Sequence, residues 1–195
     1  MNTQDFGQTN GYPLEEWRVS MEFPSYEVSN YGTIRRISDG LIMSQSKLAN
    51  GELKITLSTP FEGRRTRLVK RIVADAFVKY ENRAVDTTVI QLDNNKDNCC
   101  AWNLMWRPRW FAWKYTAQFN SNIPDHVLTI PIKNTRTNEV YPSVLVCAMT
   151  EGMLIEDILR SAETWVLVYP TRAIYQYLND KRELPRNIVY GKHSL

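Results

Sequence analysis

The stretch TTVIQLDNNKDNCCAWNLMWRPRWFAWKYTAQF, residues 87–119, sets the order of elements around which the chain can be read. Thr87 to Leu92 is β-branched and apolar, the composition of a strand. Asp93 to Asn98 is polar throughout and rich in Asp and Asn, whose side chains bond to their own backbone in turns. A short connection leads to Asn103 and Leu104, and a helix is expected from about Arg109 to Phe119. Strand, loop and helix in that order are what a ββα motif requires.

Immediately upstream, FEGRRTRLVKRIVADAFVKY (61–80) places Leu68, Ile72, Val73, Ala76 and Phe77 at helical spacing, which predicts an amphipathic helix. Arg64, Arg65, Arg67, Lys70 and Arg71 crowd its approach and first turns. Such a cluster serves equally as a solvated face or as a set of phosphate contacts. Residues 61–118 are therefore expected to form one ββα domain. Residues 13–60 read as a small β-rich module. Tyr26-Glu27-Val28 and Thr33-Ile34-Arg35 are short strands joined by the turn Ser29–Gly32. Leu53, Ile55 and Leu57 alternate with polar residues after Asn50-Gly51, a hairpin signal. Trp17, Phe23 and Tyr26 are expected in its core, and residues 1–12 form a loose tail.

Downstream, residues 119–128 read as a linker and 129–195 as a further α/β module. Thr129–Lys133 and Glu139–Tyr141 predict a hairpin. Ser143 is placed to cap a helix, and Gly152 separates that helix from a second one, Leu154–Ser161, in helix-turn-helix layout. Trp165–Tyr169 is expected as a strand, with Thr171 capping a last helix to about Asp180. The fold class is α+β.

Hydrophobic residues at 43% and charged ones at 23% are ordinary for a folded protein. No apolar run approaches the ~20 residues a bilayer demands, and the polar start MNTQDFGQTN is no signal peptide, so a cytoplasmic protein with no membrane partner is expected. Cys99, Cys100 and Cys147 have neither even number nor metal-ligand spacing, which fits reduced thiols. The net charge of +3 is unevenly spread. Residues 1–58 hold five basic and seven acidic side chains, 59–118 eleven and six, and 119–195 eight of each. The positive field therefore sits in the middle third, where a polyanion would be drawn.

The string EEWRVSMEFPSYEVSNYGTIRR (15–36) resembles the nuclease-associated modular (NUMOD) domain found at the front of many homing endonucleases. Glu16, Trp17, Phe23, Tyr26, Glu27, Val28, Ser29, Asn30, Gly32, Ile34 and Arg35 fit its pattern of an E-W pair, a Phe and Y-E-V-S-N-x-G-x-V-R. RLVKRIVADAFV is similar to the helix V-H-R-L-V-A-x-A-F of phage- and intron-type HNH homing endonucleases, with Lys70 where a His is usual. QLDNNKDNCCAWNLMW is similar to the HNH core, matching at Asp93, Asn95, Lys96, Asn98, Asn103, Leu104 and Trp106. NEVYPSVLVCAMTEGMLIEDILRS resembles the helix-turn-helix module that often follows it. Together these resemblances cover roughly residues 13–161.

The resemblance implies phosphodiester cleavage by one His, acting as general base toward water, and one divalent metal that neutralises the scissile phosphate. Carried over position by position, the base falls on Gln91, whose amide cannot take up a proton near neutral pH. One metal ligand falls on Ile90 and the other on Ala112, neither with a donor atom, while the central Asn, a loop holder, stands as Asn103. The chain's histidines, His126 and His193, lie outside the ββα segment. Asp93 and Asp97 are the carboxylates the loop offers a hard cation, or else they are turn-forming acids. The resemblance therefore implies a frame without its catalytic set and no cofactor, with Mg²⁺ required only if ligands have been relocated.

The expected function is that of a catalytically inactive relative binding double-stranded DNA, with phosphate contacts from Arg35, Arg36, Arg64, Arg65, Arg67, Lys70 and Arg71. An alternative is a phage protein repurposed to bind a host or viral protein complex. Its anchor would be Trp102, Arg107, Arg109, Trp110 and Trp113, because exposed Trp with Arg is the composition of a binding hot spot. A second alternative is an active metal-dependent endonuclease with relocated ligands. The helix MLIEDILRS, with Glu156 and Asp157 against one Arg160, is expected to be a poor DNA reader, since carboxylates facing phosphates are repelled.

Overall fold

The computed structural model describes residues 8–9, 12–59, 63–180 and 182. Most of the expected tail lies outside them, although β1 (Gln8–Thr9) pairs with β2 (Tyr12–Pro13). The fold is α+β, and every strand pairing among the described residues is antiparallel. Two compact units follow one another along the chain, residues 1–112 and 113–195.

The first unit opens with β3 (Trp17–Val19), β4 (Tyr26–Ser29) and β5 (Ile34–Arg36) in spatial order β3-β4-β5. Val28 lies opposite Ile34, as the turn at Ser29–Gly32 requires. In that turn the Gly32 N–H donates to the Ser29 carbonyl at 2.9 Å. Gly32 has φ 93°, and a Cβ there would stand 3.1 Å from Cβ of Cys99. Both backbone conformation and close approach thus call for glycine.

β6 (Ser46–Lys47), β7 (Leu53–Thr59) and β8 (Gly63–Leu68) form a second sheet in the order β6-β7-β8. Gly51, with φ 85°, turns the chain between β6 and β7, as Asn50-Gly51 predicts. β8 departs from expectation. Arg64, Arg65 and Arg67 lie on a strand and not on the approach to a helix. GRRTRL carries no apolar alternation, so nothing in its periodicity announces a strand; pairing along the whole of β7 supplies it. The division expected at residues 60 and 61 accordingly falls between two strands of one sheet.

α1 (Val69–Phe77) starts one residue after Leu68. It buries Val69, Ile72, Val73, Ala74 and Phe77; of the expected face Ile72, Val73 and Phe77 are among these, while Ala76 is partly buried and Leu68 ends β8. Each of the larger side chains contributes ~1.5–3 kcal/mol on leaving water. β9 (Thr88–Gln91) pairs with β10 (Leu104–Arg107), Gln91 opposite Leu104 and Val89 opposite Trp106. One core joins Phe23, Tyr26, Val28, Ile34, Ile55 and Leu57 to α1, Val89, Leu104 and Trp106. The two modules expected as separate domains therefore share a single hydrophobic interior. Trp17 is half-buried, outside that core. The Trp106 indole is accommodated by a hydrogen bond to the Val78 carbonyl at 3.2 Å and by stacking on Tyr80.

α2 (Arg109–Gln118) follows β10, and the division between units falls within it, after Ala112. In the second unit, α3 (Asp125–Leu128) occupies part of the expected linker. β11 (Ile132–Asn134) and β12 (Val140–Tyr141) form the expected hairpin. Ser143 caps α4 (Val144–Glu151), its Oγ accepting from the Val146 N–H at 3.1 Å. Gly152, left-handed with φ 61°, ends α4 before α5 (Ile155–Thr164), in helix-turn-helix order.

Two expectations fail beyond α5. Residues 165–169 form no strand: Trp165 is the left-handed cap of α5, and Val168 makes only an isolated bridge to Ala173. The expected last helix is instead β13 (Tyr175–Tyr177), paired with β11. Ile174 and Tyr175 are buried, and the Tyr175 N–H donates to Ser161 Oγ at 3.0 Å. Thr171 bonds the Tyr175 hydroxyl and caps nothing. Sheet pairing and packing against α5 here override a segment of ambiguous propensity. Among the described residues no helix is long and apolar enough to cross a membrane.

Candidate functional site

The loop between β9 and β10 is closed by its own side chains. Gln91 is buried, and its Nε2 donates to the carbonyls of Asn95 and Asn98 at 3.0 and 3.2 Å. Asn103 Nδ2 donates to Asp93 Oδ1 at 2.8 Å and to the Asn98 carbonyl at 2.9 Å, while its Oδ1 accepts from the Asp93 N–H. Asp93 Oδ1 also accepts from the Asn95 N–H, and its Oδ2 from Asn98 Nδ2 at 2.7 Å. Its carboxylate is thus directed into the loop as a turn-forming acid. Asp97 is taken up by Lys47, 2.7 Å away. Lys96 Nζ reaches back to the Asn50 carbonyl at 2.5 Å. Two lysine contacts thereby tie the loop to β6 and to the β6–β7 turn.

Ile90 is 2% exposed and Ala112 7%, so two positions at which the resemblance places metal ligands are apolar core. Among the described residues no three His, Cys, Asp or Glu side chains are grouped to hold a metal ion. The side chains at these two positions have no donor atom for a divalent cation. Cys99, beside this loop, is pushed up to about 12 by burial. Cys100 is raised as well, again chiefly by burial. Neither is a poised thiolate.

The expected cations are placed very unevenly. Arg35 pairs with Glu27 at 2.7 Å and lies over the Trp17 ring, 4.0 Å from its centroid. Arg36 pairs with Asp39 at 2.6 Å and, through that hydrogen bond, holds the carboxyl below its ordinary range. Glu22 takes both Arg67, at 2.5 and 3.0 Å, and Arg65, at 3.6 Å. Arg71 stands 3.7 Å from Asp75 and donates to the Thr87 carbonyl. Lys70 is paired with Glu52 at 2.8 Å, both side chains only 14% exposed. That lysine belongs to the interior and is removed from the set of surface contacts.

Register explains the sorting. Residues directly opposite in an antiparallel ladder share a face. Arg65 lies opposite Leu57 and Arg67 opposite Ile55, so both start from the core side of β8 and turn toward Glu22. Arg64 lies opposite Ser58, and Thr66 opposite Thr56, on the outer side. The two threonine hydroxyls are 2.8 Å apart. Lys54 shares this outer face. Neither Arg64 nor Lys54 makes an ion pair or side-chain hydrogen bond among the described residues. Among the described residues the outer face of β7–β8 thus presents Lys54, Thr56, Ser58, Arg64, Thr66 and Leu68, without a carboxylate. Sequence reading passed over Lys54; its place two and four residues before the polar Thr56 and Ser58, out of phase with Ile55 and Leu57, is the signal that marks it.

The aromatic candidates also separate. Arg107 is 2% exposed, donates to the Trp106 carbonyl and faces Glu81 at 3.6 Å. It is a core residue and no surface anchor. Trp102 is partly covered and meets Tyr31 edge to face at 4.7 Å. Trp110 and Trp113 are 55% and 73% exposed, and Arg109 is exposed.

Among curated proteins none matches the chain. A solved structure described as "DNA binding and cleavage by the HNH homing endonuclease I-HmuI" is 20% identical, with a TM-score of 0.47 over 85% of this chain and 99% of that one. Residues 15–58, which run from just before β3 into β7, match the NUMOD4 motif.

Proposed function

We propose that this protein is a duplex-DNA-binding relative of the HNH homing endonucleases that does not cleave. The observation that carries the binding half is the outer face of β7–β8, which among the described residues has no carboxylate and where Arg64 and Lys54 stand uncommitted among hydroxyls. Such a face combines point charges for phosphates with short polar groups able to reach base edges. It lies at the edge of the chain's most basic third and joins the segment that matches NUMOD4. Arg35, Arg36, Arg65, Arg67 and Arg71 can contribute only by giving up carboxylate partners. The non-cleaving half rests on Gln91, whose amide is no base, on Ile90 and Ala112, whose side chains have no donor atom for a metal, and on an Asp93 already bonded within its loop. Its proposed compartment is the cytoplasm, that of an infected bacterium if the gene is a phage's.

Binding of a labelled duplex, followed by fluorescence anisotropy across a salt series, tests the reading. Log affinity should fall linearly with log salt by ~0.9 per phosphate contacted. Absent or salt-insensitive binding would sink it. A second reading, an interaction protein for a host or viral complex, is favoured by Trp113, the most exposed of the tryptophans named above. If Trp113→Ala leaves every captured complex unchanged, that surface is excluded. Metal-dependent nicking of plasmid that disappears in Asp93→Ala would instead establish an active nuclease.

A further inference from the structure

We infer that Glu22 is a specificity-determining residue that holds Arg65 and Arg67 back from phosphates of an arbitrary duplex. The inference rests on the DNA-binding reading above. Glu22 lies in the turn between β3 and β4, whereas Arg65 and Arg67 lie on β8, an edge strand of a different sheet. One carboxylate therefore collects two cations from a distant element. Arg35 and Arg36, by contrast, each pair one to one, Arg35 with Glu27 and Arg36 with Asp39.

The contact with Arg67 is a fork, Nη2 on one carboxylate oxygen and Nε on the other, at 2.5 and 3.0 Å. A phosphate presents two oxygens to a guanidinium in the same planar manner, so carboxylate and phosphate compete for one set of donors. The side chains are one-third exposed, 35% for Arg67 and 33% for Glu22. Water and salt screen such a pair, so it can be exchanged. The Lys70–Glu52 pair, nearly enclosed, cannot be exchanged in this way. A duplex that offers phosphates alone must displace Glu22 and leave its charge beside the DNA. A duplex that also satisfies the outer face of β7–β8 gains base contacts that offset this loss. Glu22 thereby widens the gap between arbitrary and fitting sequences.

The test compares the intact protein with Glu22→Gln, and with Glu22→Ala as a second variant, on a mixed-sequence duplex. Glu22→Gln should bind ~10-fold more tightly at low salt, and the salt slope should steepen by ~0.9, one further phosphate. Adding Arg65→Gln and Arg67→Gln to Glu22→Gln should abolish the gain, which separates release of these two groups from a general change in charge. If the intact protein binds with a salt-dependent affinity that both Glu22 variants leave unchanged or weaken, this inference is overturned and the DNA-binding reading stands. If neither the intact protein nor the variants bind duplex at any salt, the DNA-binding reading falls and the role of Glu22 with it.

Discussion

The Gln91 amide stands 3.0 Å from the carbonyl oxygen of Asn95, so a hydrogen-bond donor bound into the loop stands where the sequence resemblance would put a base. The same nitrogen serves Asn98. Gln91 is therefore a structural residue of the loop, and its removal is a stability experiment. Gln91→Ala should cost ~1–3 kcal/mol, the penalty for buried polar groups left without partners. Urea denaturation would read it. A loss near zero would show that the loop draws its order from Asn103 and Asp93 alone.

On the proposed reading, supplying a base at residue 91 should not bring about cleavage. Gln91→His supplies an imidazole, but Ile90 and Ala112 still supply no metal ligand. Incubated with plasmid and Mg²⁺ or Mn²⁺, this variant is expected to leave supercoiled DNA intact. Nicking by Gln91→His would reveal ligands placed elsewhere in the chain.

Glu52 and Lys70 form the most enclosed ion pair among those described. Glu52→Gln strands an ammonium in the interior and should destabilise the first unit by ~3 kcal/mol, whereas replacing both partners with Leu and Met should be nearly neutral. Denaturation midpoints of the single and double variants decide this. Equal losses in both would mean that the pair's geometry, and not its charge balance, holds α1 to β7.

Arg64 and Lys54 are expected to act as phosphate contacts. Arg64→Ala and Lys54→Ala should each lower duplex affinity and reduce the salt slope by ~0.9. Lys70→Met, assayed above its stability threshold, should leave the slope unchanged. A slope insensitive to Arg64→Ala would move the interface away from the outer face of β7–β8.

Alkaline pH should erode the fold through Cys99. Its thiol titrates at about 12 in the folded chain, against an ordinary 9.0, because burial disfavours the thiolate. The unfolded chain loses that proton first, so the contribution is complete below pH 9 and declines as pH rises from 9 toward 12. Alkylation of folded protein at mildly alkaline pH should therefore spare Cys99 and Cys147, both buried, and modify Cys100 first. Rapid modification of Cys99 at that pH would contradict its burial.

Sequence by itself determined the elements whose side-chain pattern repeats with the period of the backbone. The amphipathic spacing of α1, the Asn50-Gly51 turn, the Ser143 cap and the Asp93–Asn98 loop follow from local chemistry, and each stands where its residues indicate. That Ile90 and Ala112 own no donor atom, and that the Gln91 amide is no base, was equally legible, because it depends on which atoms those side chains own. Tertiary structure alone decided the rest. GRRTRL became a strand because β7 offered a ladder to pair with, and residues 175–177 became one because β11 did. Residue spacing could gather seven cations into one candidate surface. Only the strand register, which sends Arg65 and Arg67 to Glu22 and leaves Arg64 beside Ser58, could divide them into paired and free. Charge is a property of the residue, but its availability is set by the neighbours that folding brings within a few ångströms.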